Sequence, residues 1–216
     1  MTDKKFLSRI LFLVFIFAGY FANAQTDPAA NAILDKFSAK ALNAPSVSLK
    51  FTLITEDLIE KRSDTLAGAI IISKDSYKLE IPNNIIWFDG KTSWSYLIAE
   101  KEVVISQPDK NDNSFQNKPS GIFVMYKNGY KTRLIEETAA NCIIDLYPED
   151  INNELIRVRL TIGKSLNDLK QIEYKRKDGI VMYINVKEYN LNIRPEQNLF
   201  VFDRAKYRGV DIIDMR

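Results

Sequence analysis

The chain has 216 residues, with 30 basic and 28 acidic side chains, no histidine and one cysteine. That length suits one domain. The missing histidines remove the commonest metal ligand and general base, the lone Cys142 rules out an intrachain disulfide, and the near-balance of charge speaks against nucleic acid as the main partner.

Residues 1–24 read as a secretory signal. Lys4, Lys5 and Arg9 give a basic start, Ile10 to Ala18 a short apolar run, and Ala22-Asn23-Ala24 a small-x-small cleavage pattern. The run is short for a membrane span of about 20 residues. No cysteine follows it to carry a lipid anchor, so export and cleavage to a soluble form in the periplasm are expected. Losing Lys4, Lys5, Arg9 and Asp3 leaves 27 basic and 27 acidic side chains, a neutral mature chain. The mature domain is then 25–216.

Asp27 to Leu42 is predicted as a helix, with Asp27 as cap and Pro28 at its first position. Ile33, Leu34, Phe37 and Ala41 form its apolar stripe. Alternation then takes over. Val47, Leu49, Phe51 and Leu53 share one side of a strand. Further strands are expected at 66–73, 77–81, 85–88, 92–98 and 102–106. Asp89-Gly90 turns the chain between Trp87 and Trp94. Residues 107–120 are polar and turn-rich and read as an exposed loop. The apolar run Ile122 to Tyr126 follows Pro119 and precedes Asn128-Gly129, which suits a short helix or a strand.

Strands resume at 132–136, 141–147, 155–162, 169–177 and 180–189, the last two around an Asp178-Gly179 turn. Residues 198–202 read as a short strand and 210–215 as a tail. Cys142, inside an apolar strand, reads as a small buried hydrophobe. Asp203, Asp211 and Asp214 lack the spacing of a calcium loop, and no metal or cofactor is expected. About ten antiparallel strands with one apolar face predict a mainly β fold, an unclosed barrel or strongly curved sheet. The helix near the start and a short lid helix would cover an apolar cavity.

The order of these pieces carries a resemblance. A signal sequence and an amphipathic helix precede Ser46-Val47-Ser48-Leu49-Lys50-Phe51-Thr52 and a strand led by Gly68. Phe88-Asp89-Gly90-Lys91-Thr92-Ser93-Trp94-Ser95-Tyr96 follows, and Phe200-Val201-Phe202-Asp203 closes the chain. This resembles the LolA family of periplasmic lipoprotein carriers over nearly all of residues 25–216. The resemblance implies an unclosed antiparallel barrel whose cavity takes the acyl chains of lipoproteins. It also implies two partners, an inner-membrane transporter that releases cargo and an outer-membrane acceptor. The family's Arg-Pro pair after an early strand has no counterpart at Ser73-Lys74-Asp75-Ser76, so no latch residue is carried over.

On this reading Phe51, Leu79, Trp87, Trp94, Tyr96, Ile144 and Leu160 line the cavity from the sheet. Ile122, Phe123 and Met125 close it from above. A monomeric binding protein without catalytic activity is expected. The alternatives are a lipid-binding or envelope-sensing module of the same fold, and a hydrolase working through carboxylates such as Asp89 and Glu102, for which no nucleophile–base pair is evident.

Overall fold

The computed structural model describes residues 26–108 and 118–216. The expected signal sequence, residues 1–24, and the centre of the polar loop, 109–117, lie outside the described residues. Among the described residues one α-helix, α1 (Pro28–Leu42), precedes twelve strands. They are β1 (Val47–Asp57), β2 (Arg62–Ser73), β3 (Ser76–Ile81), β4 (Asn84–Phe88), β5 (Ser93–Leu97), β6 (Glu102–Ser106), β7 (Tyr130–Glu137), β8 (Asn141–Pro148), β9 (Leu155–Gly163), β10 (Asp168–Arg176), β11 (Ile180–Asn190) and β12 (Asp211–Asp214).

Helix α1 starts where its capping residue dictates. The Asp27 carboxylate accepts from the Ala29 and Ala30 N–H groups, and its other oxygen accepts from the Leu134 N–H. The Asp27 N–H in turn donates to the Thr132 carbonyl. One residue thus caps the helix and occupies part of the open edge of β7. Its carboxyl lies below the usual carboxylate range, chiefly because of the Leu134 N–H.

All twelve strands form one sheet in the order β12-β6-β5-β4-β3-β2-β1-β11-β10-β9-β8-β7. Neighbours are antiparallel except β12, which runs parallel to β6. The sheet does not close on itself, as the sequence predicts. It must be strongly curled. Strands β3 and β8 are six places apart, about 29 Å in a flat sheet at roughly 4.8 Å per strand. Yet Tyr77 of β3 and Ile144 of β8 belong to one apolar cluster with Leu34 and Phe37 of α1. Curling brings both flanks around the helix.

The inner face follows from the register. Phe51 lies opposite Gly68, Ile70 opposite Leu79, Ile172 opposite Ile184, and Ile144 opposite Leu160. Gly68 is fixed by packing. A Cβ there would come within 2.5 Å of the Phe51 ring and 3.1 Å of Ile81. Gly68→Val is expected to cost about 1–3 kcal/mol by overpacking, read as a lower urea midpoint at unchanged slope.

The run after Pro119 forms a short helix of the 3-10 kind and not a strand, in two turns, Pro119–Phe123 and Met125–Lys127. Two local expectations change. Residues 198–202 do not form a strand. Gln197–Phe200 is a 3-10 turn crossing β3 and β4, because Phe200 buries against the sheet and Phe202 packs on Trp87. The terminal tail supplies a strand instead, β12, pairing with the edge of β6. A parallel pair needs a long crossover, and local turn signals do not report it.

Candidate functional site

The sheet's concave face holds the main apolar cluster. It contains Phe51, Ile144 and Leu160, all buried, with Leu79 packed against it. Two elements cover this face. Helix α1 lays Ala30, Leu34, Phe37 and Ala41 onto it. Residues 119–127 add Ile122, Phe123 and Tyr126, and Met125 packs against the cluster. Phe123 meets Phe37 with ring centroids 5.6 Å apart.

Side-chain hydrogen bonds tie the cover to its neighbours among the described residues. Tyr126 Oη donates to Asp35 Oδ1 of α1. Thr132 Oγ1 of β7 bonds Asn31 Oδ1 at 2.8 Å. Burial and the Asp35 carboxylate push the Tyr126 hydroxyl up to about 12, so it stays a donor across the physiological range. The backbone bonds of the cover are local ones, Gly121 N–H to Lys118, Val124 to Gly121 and Lys127 to Val124. This segment is therefore attached mainly by side chains.

The structure brings together Phe51, Leu79, Ile122, Phe123, Met125, Ile144 and Leu160. It does not bring Trp87, Trp94 and Tyr96 to them, and this corrects their expected place in the cavity wall. Trp87 lies opposite both Lys78 and Trp94, and Tyr96 lies opposite Ile85. Tyr77, next to Lys78, points into the core. Strict alternation sends Trp87, Trp94 and Tyr96 to the outer face. Ser93, Ser95 and Leu97 take the inner side of β5.

The outer aromatics have their own cover. Trp87 packs edge-on against Phe202 and Tyr207, with centroids 5.5 and 5.4 Å away. Tyr96 meets Tyr207 at 5.1 Å. A hollow of about 540 Å³ lies there, lined in part by Lys78, Trp87, Phe202, Lys206 and Tyr207. These contacts explain the second tryptophan-rich cluster, which hairpin parity identifies only when the core side of one flanking strand is known.

Inner residues that the sequence reading left out include Val158, Ile162, Ile172, Tyr174 and Ile184. Their alternation along β9–β11 is the signal that marks them. The contacts between α1 and 119–127 carry no such periodicity, being made across 91 residues of sequence. No helix among the described residues is long and apolar enough to cross a membrane. No cluster of metal-ligating side chains occurs among them.

The family model for the outer membrane lipoprotein carrier protein LolA matches residues 20–177. The chain belongs to this family. The match spans α1 and strands β1 to β10 and ends before the segment that covers Trp87. Among solved structures, an uncharacterized conserved protein from Thermus thermophilus shares the fold at 14% identity and TM-score 0.56, covering 86% of this chain and 99% of that one. The LolA superfamily protein NE2245 from Nitrosomonas europaea is similar at 13% identity and TM-score 0.41, covering 80% and 97%. LprF from Mycobacterium bovis is similar at 11% identity and TM-score 0.45, covering 80% and 99%. No curated protein sequence matches the chain.

Proposed function

We propose that this LolA-family protein is an exported carrier that takes lipoprotein acyl chains into its concave interior. One observation supports the reading above the others. The inner face is apolar from β1–β3 round to β7–β11, and its cover is a helix and two short turns, not a second sheet. Moving that cover exposes a continuous apolar surface. An acyl chain gains about 0.8 kcal/mol per buried methylene, which offsets the burial that Ile122, Phe123 and Phe37 give up. Release needs the reverse exchange, and a weakly tied segment suits it. The basic start and Ala22-Asn23-Ala24 support export. The reading involves no catalytic step.

The test uses the full chain expressed in an export-competent Gram-negative host. The processed protein is extracted and its lipid identified by mass spectrometry. It is also mixed with inner-membrane vesicles holding a labelled triacylated lipoprotein. Bound acyl chains and lipoprotein release are expected. Free lipid without lipoprotein release would favour a lipid-binding or sensing module, and the absence of both bound lipid and release would overturn the reading.

The two-faced arrangement gives a further check. The mature chain's only tryptophans, Trp87 and Trp94, sit on the outer face. Filling the interior with a saturated fatty acid is therefore expected to leave tryptophan emission within a few per cent of its starting value. Displacement of an apolar dye would report binding. A strong tryptophan change would place the ligand on the outer face.

A further inference from the structure

The outer face of β7–β10 carries a grid of charge that the carrier reading does not use. The register lays Arg133, Asp145, Arg159 and Glu173 in one row across the four strands. Lys131 and Tyr147 are paired in the neighbouring row, as are Arg157 and Lys175. Those two rows hold five cations against two carboxylates, and Glu136 adds a third carboxylate to the same face, on a mature chain that is neutral overall. Glu136 stands further along β7, opposite Ile143.

The two carboxylates are already consumed. Asp145 is buried and accepts from Arg159 Nε at 2.6 Å and Nη2 at 2.9 Å, and from Tyr147 Oη at 2.9 Å. Arg157 reaches Asp145 with Nη1 at 3.4 Å and pairs with Glu173 through Nη2. The Nε–H of Arg157 is buried without a partner. Lys131, Arg133 and Lys175 are exposed and make no salt bridge with a described residue. Lys131, Arg133 and Lys175 therefore lie on one face without a salt bridge to a described residue, Arg133 acting electrostatically on Asp27 at the edge of β7.

We propose that this face docks an acidic polypeptide segment. Lys131 and Lys175 stand three strands apart, about 14 Å at roughly 4.8 Å per strand. Separate glutamate or aspartate side chains reach both while straddling Asp145. A continuous sheet of lipid phosphates would lie over that buried carboxylate. Arginine forks also match carboxylates in geometry. Opposed charge sets association rate and partner choice more than bare affinity, so the contact is salt-sensitive.

The test follows the anisotropy of a fluorescein-labelled peptide, four repeats of Glu-Ser-Gly, added to the processed full chain at 25 and 250 mM NaCl. Binding at low salt is expected, at least tenfold weaker at high salt. The double substitution Lys131→Glu with Lys175→Glu is expected to weaken it at least tenfold more at an unchanged melting temperature. Lys36→Glu with Lys91→Glu makes the same charge change at exposed positions elsewhere and is expected to shift it less than twofold. No binding, equal loss in both double variants, or binding to phosphatidylglycerol vesicles in place of the peptide would each overturn the proposal. Because the readout needs no acyl ligand, its failure is separate from failure of the carrier reading.

Discussion

The substitution Phe123→Asp is expected to detach residues 118–127 while leaving the twelve-stranded sheet folded. Phe123 is 2% exposed and faces Phe37 beneath α1. Burying a charge there without a partner costs several kcal/mol. The chain has a cheaper alternative. Its cover segment has local backbone bonds among the described residues, and Tyr126 ties it to Asp35 of α1. Swinging out sacrifices the burial of Ile122, Phe123 and Tyr126, each worth about 1.5–3 kcal/mol at full burial. Local opening therefore costs less than global unfolding.

Hydrogen exchange should quicken by at least a hundredfold at 119–127 and little in β8–β10. An apolar dye should bind the opened face. If instead the whole domain melts more than about 15 °C lower, when 1 kcal/mol corresponds to about 2–4 °C at this size, the segment is fixed core and not a movable cover. The same variant should lose acyl-ligand retention if the carrier reading holds, because the closed state is gone.

Asp145→Ala is expected to lower stability by about 3–5 kcal/mol, because removing one partner strands buried charge. The side chains of Arg157 and Arg159 are 18% and 28% exposed. Both lean on this carboxylate, and the Tyr147 hydroxyl loses its acceptor. Chemical denaturation of the variant against the parent measures the loss. An effect below about 1 kcal/mol, the range of an exposed ion pair, would mean that water replaces the carboxylate at the sheet surface.

The same group sets a pH dependence. Burial alone would raise its titration, but the hydrogen bonds from Arg159 and Tyr147 and the charges of Arg157 and Arg159 outweigh it. The carboxyl is held below its ordinary value. A depressed carboxylate stabilises the fold above its unfolded pKa, about 3.9, and the contribution fades as pH falls through the lower folded value. Acid titration of the parent should show this loss below about pH 4, and Asp145→Ala should flatten it.

The sequence determined the strand-rich character, the curled open sheet and the helix at its start. Alternation in Val47 to Leu53 and in Leu155 to Ile162 reports which residues share a face, and Asp27 with Pro28 reports where the helix begins. Those are local properties, fixed by a period of two or by a cap. Phe51 with Leu49 and Leu53, and Leu160 with Val158 and Ile162, were legible as sharing a strand face for that reason, and strand register joins those faces to Leu79 and Ile144. Only the tertiary structure decided which face turns inward at the Trp87–Trp94 hairpin. Parity says that Trp94 and Tyr96 go together but not which side they take. The answer came from Phe202 and Tyr207, more than a hundred residues away in sequence, which wrap the outer face and take up the rings of Trp87 and Tyr96. The grouping of Asp145 with Arg157, Arg159 and Glu173 was hidden for the same reason. Strand register places them side by side, and register is set by the pairing of whole strands rather than by any one residue.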